Sequence, residues 1–127
     1  MNRVPLAGGA PTVLAYGQNS PQSVAVDATY VYWNNGDGTI MKMPLAGGTP
    51  SQLATGGANP SALVLDATSV YWTNNGSGST TGSVVRAPIG GGTAVPLAVA
   101  QGEPWAIAIN ATTVFWSTPT AILAVPK

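Results

Sequence analysis

Cysteine and histidine are both missing from this 127-residue chain, and it carries only four basic and four acidic side chains. Without cysteine there is no disulfide and no thiol nucleophile. Without histidine the most frequent general base and a favoured metal ligand are gone too. Charged residues make up 6% of the sequence, against about 25% in an average soluble domain. The formal net charge is zero, which leaves no electrostatic footprint for nucleic acid or for an anionic membrane surface. No apolar run approaches the ~18 residues of a membrane-crossing helix. The first residues, Met1–Ala15, lack the basic-then-apolar plan of a secretory signal. The low-charge surface, rich in Thr, Asn and Gly, still points to an exported or periplasmic bacterial protein.

What the chain does have is repetition. Trp33, Trp72 and Trp116 recur 39 and 44 residues apart, and Asp27, Asp66 and Asn110 keep the same two intervals, as do Pro21, Pro60 and Pro104. The five extra residues of the second interval fall in the Gly/Ser/Thr-rich stretch Asn74–Gly82. Hydrophobic residues, 45% of the total, come in short regular bursts, which argues against disorder. A period near 40 with short β-rich units and one tryptophan in each is the signature of propeller blades.

Residues 22–54 serve as the reference unit. Ser23–Val26 reads as strand A, Tyr30–Trp33 as strand B, Thr39–Leu45 as strand C and Ser51–Ala54 as strand D, all antiparallel. Asp27 closes the first hairpin by bonding backbone two residues on, and Asn34–Gly38 holds residues that tolerate positive φ. Strand A is apolar on both faces in every copy, so it is expected to be buried on both, innermost in a propeller. Strand D carries Pro96 and reads as an edge. Trp33, Trp72 and Trp116 are expected to pack between blades, and Asp27, Asp66 and Asn110 to form turns. Arg3, Lys42 and Arg86 share one strand-C position and read as solubilising residues.

Val26-Asp27, Tyr32-Trp33-Asn34-Asn35 and Ile40 together resemble the YWTD repeat of the low-density-lipoprotein receptor class. Leu65-Asp66, Tyr71-Trp72-Thr73-Asn74 and Val84 carry the likeness in the second copy. The third departs from it, with Ile109-Asn110 and Phe115-Trp116-Ser117-Thr118. Asn stands in this chain where the family has its second acid, so no role resting on that carboxylate carries over. The resemblance implies a six-bladed β-propeller and says little about ligand, because related propellers bind proteins, sugars or lactones. Three blades are half of six, and a half-ring would show two apolar blade faces to water. The expectation is a homodimer with its two-fold along the propeller axis.

The chain's ends fit that expectation. Residues 1–15 match strands C and D, 22–54 and 61–98 are full blades, and 105–127 is a blade lacking strand D. The N-terminal segment of a partner copy would complete that last blade, with one strand-C copy, in 1–5 or in 122–126, displaced.

Chemistry is sparse. The carboxylates are Asp27, Asp37, Asp66 and Glu103, two of them in expected turns. Asn34–Gly38 lacks the acidic spacing of a calcium loop, and no metal or cofactor is expected. A propeller ligand would sit over the axis, among the D–A and B–C loops. Trp105 stands out there because its repeat equivalents are Gln22 and Ser61. Glu103, Tyr16, Asn34, Asn35, Asp37, Asn74 and Asn75 complete the expected ligand-binding set. The sequence thus reads as a non-enzymatic binding or scaffolding propeller, with a fragment of a larger repeat protein as one form of that reading. A carbohydrate or small-ligand binder around Trp105 is the alternative, and a six-bladed hydrolase or lactonase the second.

Overall fold

The turn residue of each repeat sets its first hairpin. Asp27 Oδ1 accepts the backbone N–H groups of Thr29 and Tyr30, both at 2.7 Å. Asp66 does the same for Thr68 and Ser69, and Asn110 for Thr112 and Thr113, all at 2.9 Å. This side-chain bond mimics a backbone turn, and an amide oxygen serves as well as a carboxylate. The computed structural model describes residues 1–127 and contains thirteen strands and no helix.

The strands are β1 (Asn2–Arg3), β2 (Thr12–Val13), β3 (Pro21–Val26), β4 (Tyr30–Asn35), β5 (Thr39–Pro44), β6 (Ser51–Thr55), β7 (Pro60–Leu65), β8 (Ser69–Asn74), β9 (Gly82–Pro88), β10 (Val95–Gln101), β11 (Ile107–Ile109), β12 (Thr113–Ser117) and β13 (Ile122–Pro126). They form four antiparallel sheets: the pair β1-β2, a first sheet β3-β4-β5-β6, a second β7-β8-β9-β10 and a third β11-β12-β13. Pro96 lies on β10, an edge strand, where its missing N–H costs no internal ladder bond.

One packing unit is used three times. Alternation along the second strand of each sheet sends a tryptophan to one face and a tyrosine or phenylalanine to the other. Trp72 packs with Tyr32, Ile40 and Leu53 of the first sheet. Trp116 and Val114 pack with Tyr71 and Val84 of the second. Trp33 and Met43 pack with Met1, Leu14 and Ala15 of the N-terminal segment. Each indole N–H finds an acceptor 15 or 16 residues earlier in the chain: Gln18 Oε1 at 2.9 Å for Trp33, the Gly56 carbonyl at 3.1 Å for Trp72, and Gln101 Oε1 at 3.2 Å for Trp116. A buried, bonded tryptophan of this kind typically costs about 3–5 kcal/mol to truncate to alanine.

Three expectations need correction. Strand A is not covered on both faces throughout: Val24 and Val26 in β3 are each 58% exposed. They share the Trp33 face, and the β1-β2 pair covers only its outer half. Asn34, Asn35 and Asn74 belong to strands β4 and β8, not to the turns after them. Arg3 and Lys42 do more than solubilise. Arg3 Nη1 donates to the Leu45 carbonyl at 2.8 Å and Lys42 Nζ to that of Ile89 at 3.4 Å, so a base on one sheet reaches the equivalent turn of the next.

Candidate ligand-binding face

Three left-handed residues bring the chain from the outer strand of one sheet to the inner strand of the next. Ser20, Asn59 and Glu103 have φ of 49°, 52° and 50°, and each precedes a proline that starts the new inner segment. The residue after each proline, Gln22, Ser61 or Trp105, is thereby delivered to one end of the assembly. The neighbouring turns are stapled to these loops. Gly36 N donates to the Asn19 carbonyl at 2.8 Å, Asn75 N to that of Asn59 at 2.9 Å, and Asn59 Nδ2 to that of Gly76 at 2.9 Å.

An open groove of about 430 Å³ results, lined by Gln22, Asn59, Ser61, Asn75, Glu103 and Trp105 among others. All three repeat-equivalent positions meet there. Trp105 is 55% exposed, while its backbone is fixed on both sides: its N–H donates to the Ser117 carbonyl at 3.0 Å, and its own carbonyl accepts from Thr73 Oγ1 at 2.9 Å. An indole face beside amides, a hydroxyl and one carboxylate can stack on a flat ligand surface and bond its polar rim.

The rest of the expected set does not join this groove. Tyr16 is exposed and lies away from it. Asp37 caps its own turn, accepting from Thr39 N at 3.1 Å and Thr39 Oγ1 at 2.7 Å, and from Asn19 Nδ2 at 3.3 Å. The Thr39 bonds hold its carboxyl below the usual range. Asn34, Asn35 and Asn74 are buried. Asn34 Oδ1 accepts Ser23 N at 2.8 Å at a register shift in the β3-β4 ladder. Thr73 and Ser117 do the same for Ala62 N and Ala106 N at 3.1 and 3.2 Å. The polar residue after each tryptophan is therefore a ladder repair. Asn35 Nδ2 donates to Thr39 Oγ1 at 3.1 Å, and Asn74 Nδ2 to Ser83 Oγ at 3.0 Å. Gln22, Asn59 and Ser61 line the groove without having been singled out as ligand contacts; the signal was their repeat equivalence to, or proximity in the loop with, Trp105.

No protein-family profile and no curated protein sequence matches the chain. Solved structures do. A chain in the crystal structure of a nidogen/laminin complex is similar over 98% of this chain and 66% of its own length, with a TM-score of 0.69 and 16% identity. The computationally designed Ika8 protein is similar over 82% of this chain and 32% of its own length, with a TM-score of 0.61 and 22% identity. The designed Ika4 protein is similar over 90% of this chain and 95% of its own, with a TM-score of 0.51 and 12% identity. At these identities the likeness concerns the fold alone, and that fold is all-β and β-propeller-like.

Proposed function

We propose that the chain is a non-enzymatic binding scaffold: half of a six-bladed, YWTD-type propeller that two copies close about a two-fold along the ring axis. One contrast carries this reading. Ile40 and Val84 occupy the same repeat position and are 0% exposed, whereas their equivalent Ile122 is 75% exposed. Ile122 lies on the Phe115 face of the third sheet, and Val24 and Val26 lie on the Trp33 face of the first. These are the two halves of the interface that the chain already builds twice internally. Leaving both wet is unfavourable at about 25 cal/mol per Å². In a longer polypeptide further repeats would cover them; for these 127 residues a second copy does.

The ring places two copies of the Trp105 groove over one axis, where a protein partner docks. Support for a non-enzymatic role comes from the acids: Asp27, Asp37 and Asp66 are engaged in turns, and only Glu103 reaches the groove. Absolute mass by light scattering, at several concentrations, is the test. A species of twice the chain mass is expected; a folded, monodisperse monomer sinks the half-ring reading.

The convergence of Trp105 with Gln22, Asn59, Ser61 and Asn75 favours a second reading, a neutral carbohydrate or similar small polar ligand in the same groove. Change in tryptophan fluorescence on titration with neutral sugars tests it, and no change at tens of millimolar would discard it.

A further inference from the structure

Ring closure by two copies places two strands in one position. Relying on the half-ring reading above, we infer that β13 keeps its place and β1 gives way, so that β13 of one copy pairs with β2 of the other. By repeat equivalence β1 and β13 are the same strand: Pro5, Pro44, Pro88 and Pro126 align, which puts Met1 and Ile122 at the position of Ile40, and Arg3 and Ala124 at that of Lys42. Both compete for the same edge of β2.

The contacts on each side decide between them. β13 is paired with β12 over five residues, from Thr113↔Pro126 to Ser117↔Ile122. Val125 packs against the cluster of Val114 and Trp116. Lys127 Nζ forms an ion pair with Asp66 Oδ2 at 2.7 Å, and Lys127 N donates to the Thr112 carbonyl at 2.9 Å. β1 is paired over two residues, Asn2↔Val13 and Arg3↔Thr12. Beyond that it holds Leu14 N on the Met1 carbonyl at 2.7 Å, the Met1 amino group on Ala15 at 3.1 Å and the exposed Arg3 bond to Leu45. Composition points the same way. Where β5, β9 and β13 carry Met41, Val85 and Leu123, β1 carries Asn2, a polar side chain on the face that would meet the partner's second sheet.

With β1 released, the partner's Ile122 takes the position of Met1 over Trp33 and is buried as Ile40 and Val84 are. The new sheet runs β11-β12-β13 from one copy and β2 from the other, the order of β3-β4-β5-β6. Its register follows from two ladders already present. Met41↔Gln52 and Lys42↔Ser51 in the first sheet, with Asn2↔Val13 and Arg3↔Thr12 in the N-terminal pair, set Leu123 opposite the second copy's position 13 and Ala124 opposite its position 12.

The chain has no cysteine, so engineered pairs report this register cleanly. The double variants Thr12→Cys/Ala124→Cys and Val13→Cys/Leu123→Cys sample the two alternating cross-strand geometries, one of which brings Cβ atoms within disulfide reach. Mild oxidation of the full chain is expected to give a covalent dimer from at least one, dissociated by reductant. Arg3→Cys/Thr12→Cys, which reports β1 in place, is expected to stay reduced in the doubled species. A doubled mass with no covalent dimer, and with the 3–12 pair closing within one chain, overturns the exchange and leaves the half-ring standing. A monomeric mass for the unmodified chain overturns both.

Discussion

Tyr32 Oη donates to Asp27 Oδ2 at 2.7 Å, across the hairpin that Asp27 itself turns. Tyr71 and Asp66 repeat the bond at 3.0 Å. In the third copy the two residues change together, to Phe115 and Asn110. The bond therefore explains this paired change: an asparagine keeps the turn, and without the carboxylate a buried hydroxyl would lack its acceptor.

A double-mutant cycle should register this coupling. Tyr32→Phe is expected to cost about 1 kcal/mol, the lower range for a bond to a charged group because the carboxylate is partly solvated. Asp27→Asn is expected to cost a similar amount, as it leaves the buried Tyr32 hydroxyl with a poorer acceptor. Together they should cost about 0.5–1 kcal/mol less than the sum. Urea unfolding of the four proteins measures it, and strict additivity would mean the pair is not a unit.

Acid should loosen the second and third sheets through Asp66. Burial pushes its carboxyl up, but the Lys127 ammonium and the Thr68 and Tyr71 bonds outweigh that and hold it well below the usual carboxylate range. A carboxyl depressed in the folded state stabilises fully above its unfolded pKa, and the benefit is lost as pH falls through the folded value. The unmodified chain should therefore lose melting temperature below about pH 4. Asp66→Asn should melt lower at pH 7 and show a shallower acid decline. Parallel pH curves for the two proteins would remove Asp66 from the account.

Much of this architecture was legible in the period alone. Trp33, Trp72 and Trp116 mark a face that must be covered, and the Asp27 position marks a turn, because both follow from local chemistry repeated at a fixed interval. The residues misread are those whose role depends on a neighbouring sheet or on ladder register. Asn34 and Asn74 look like turn formers, yet Asn34 fills a ladder irregularity, Asn74 bonds the Ser83 hydroxyl across the sheet, and both bury their amides. For Asn34, comparison with Thr73 and Ser117 held the clue, since only a short polar bond to backbone suits all three side chains. Arg3 and Lys42 looked like surface charges because their acceptors, Leu45 and Ile89, are 42 and 47 residues away. Trp105 was found by the opposite logic, as a residue the repeat does not require.

Gly57 should tolerate no side chain. Its φ is +83°, and a Cβ there would run into the Asn74 side-chain amide, which donates to Ser83 at 3.0 Å. The left-handed backbone alone costs an ordinary residue about 1–2 kcal/mol, and loss of the Asn74 bond adds about 1 kcal/mol. Gly57→Ala should thus lower stability by roughly 2–3 kcal/mol. Gly78→Ala, where a Cβ meets nothing within 4 Å, should stay within about 0.5 kcal/mol of the unmodified chain. Thermal melts of the two distinguish a required glycine from a permissive one.

Trp105→Ser separates stability from binding at the groove. The substitution restores what the second copy has at Ser61, and both hydrogen bonds that fix position 105 are made by its backbone, to Ser117 and Thr73. Folding stability should change by no more than about 0.5 kcal/mol. Solution optics should change far more. Trp33, Trp72 and Trp116 are buried with their indole N–H groups bonded, so Trp105 alone is open to a soluble quencher. Acrylamide quenching should fall several-fold in the variant, and any ligand that protects the unmodified chain from acrylamide should have no effect on Trp105→Ser. A variant that melts several degrees lower would make Trp105 a packing residue over the axis. Unchanged stability with ligand protection retained would move the binding face away from the groove altogether.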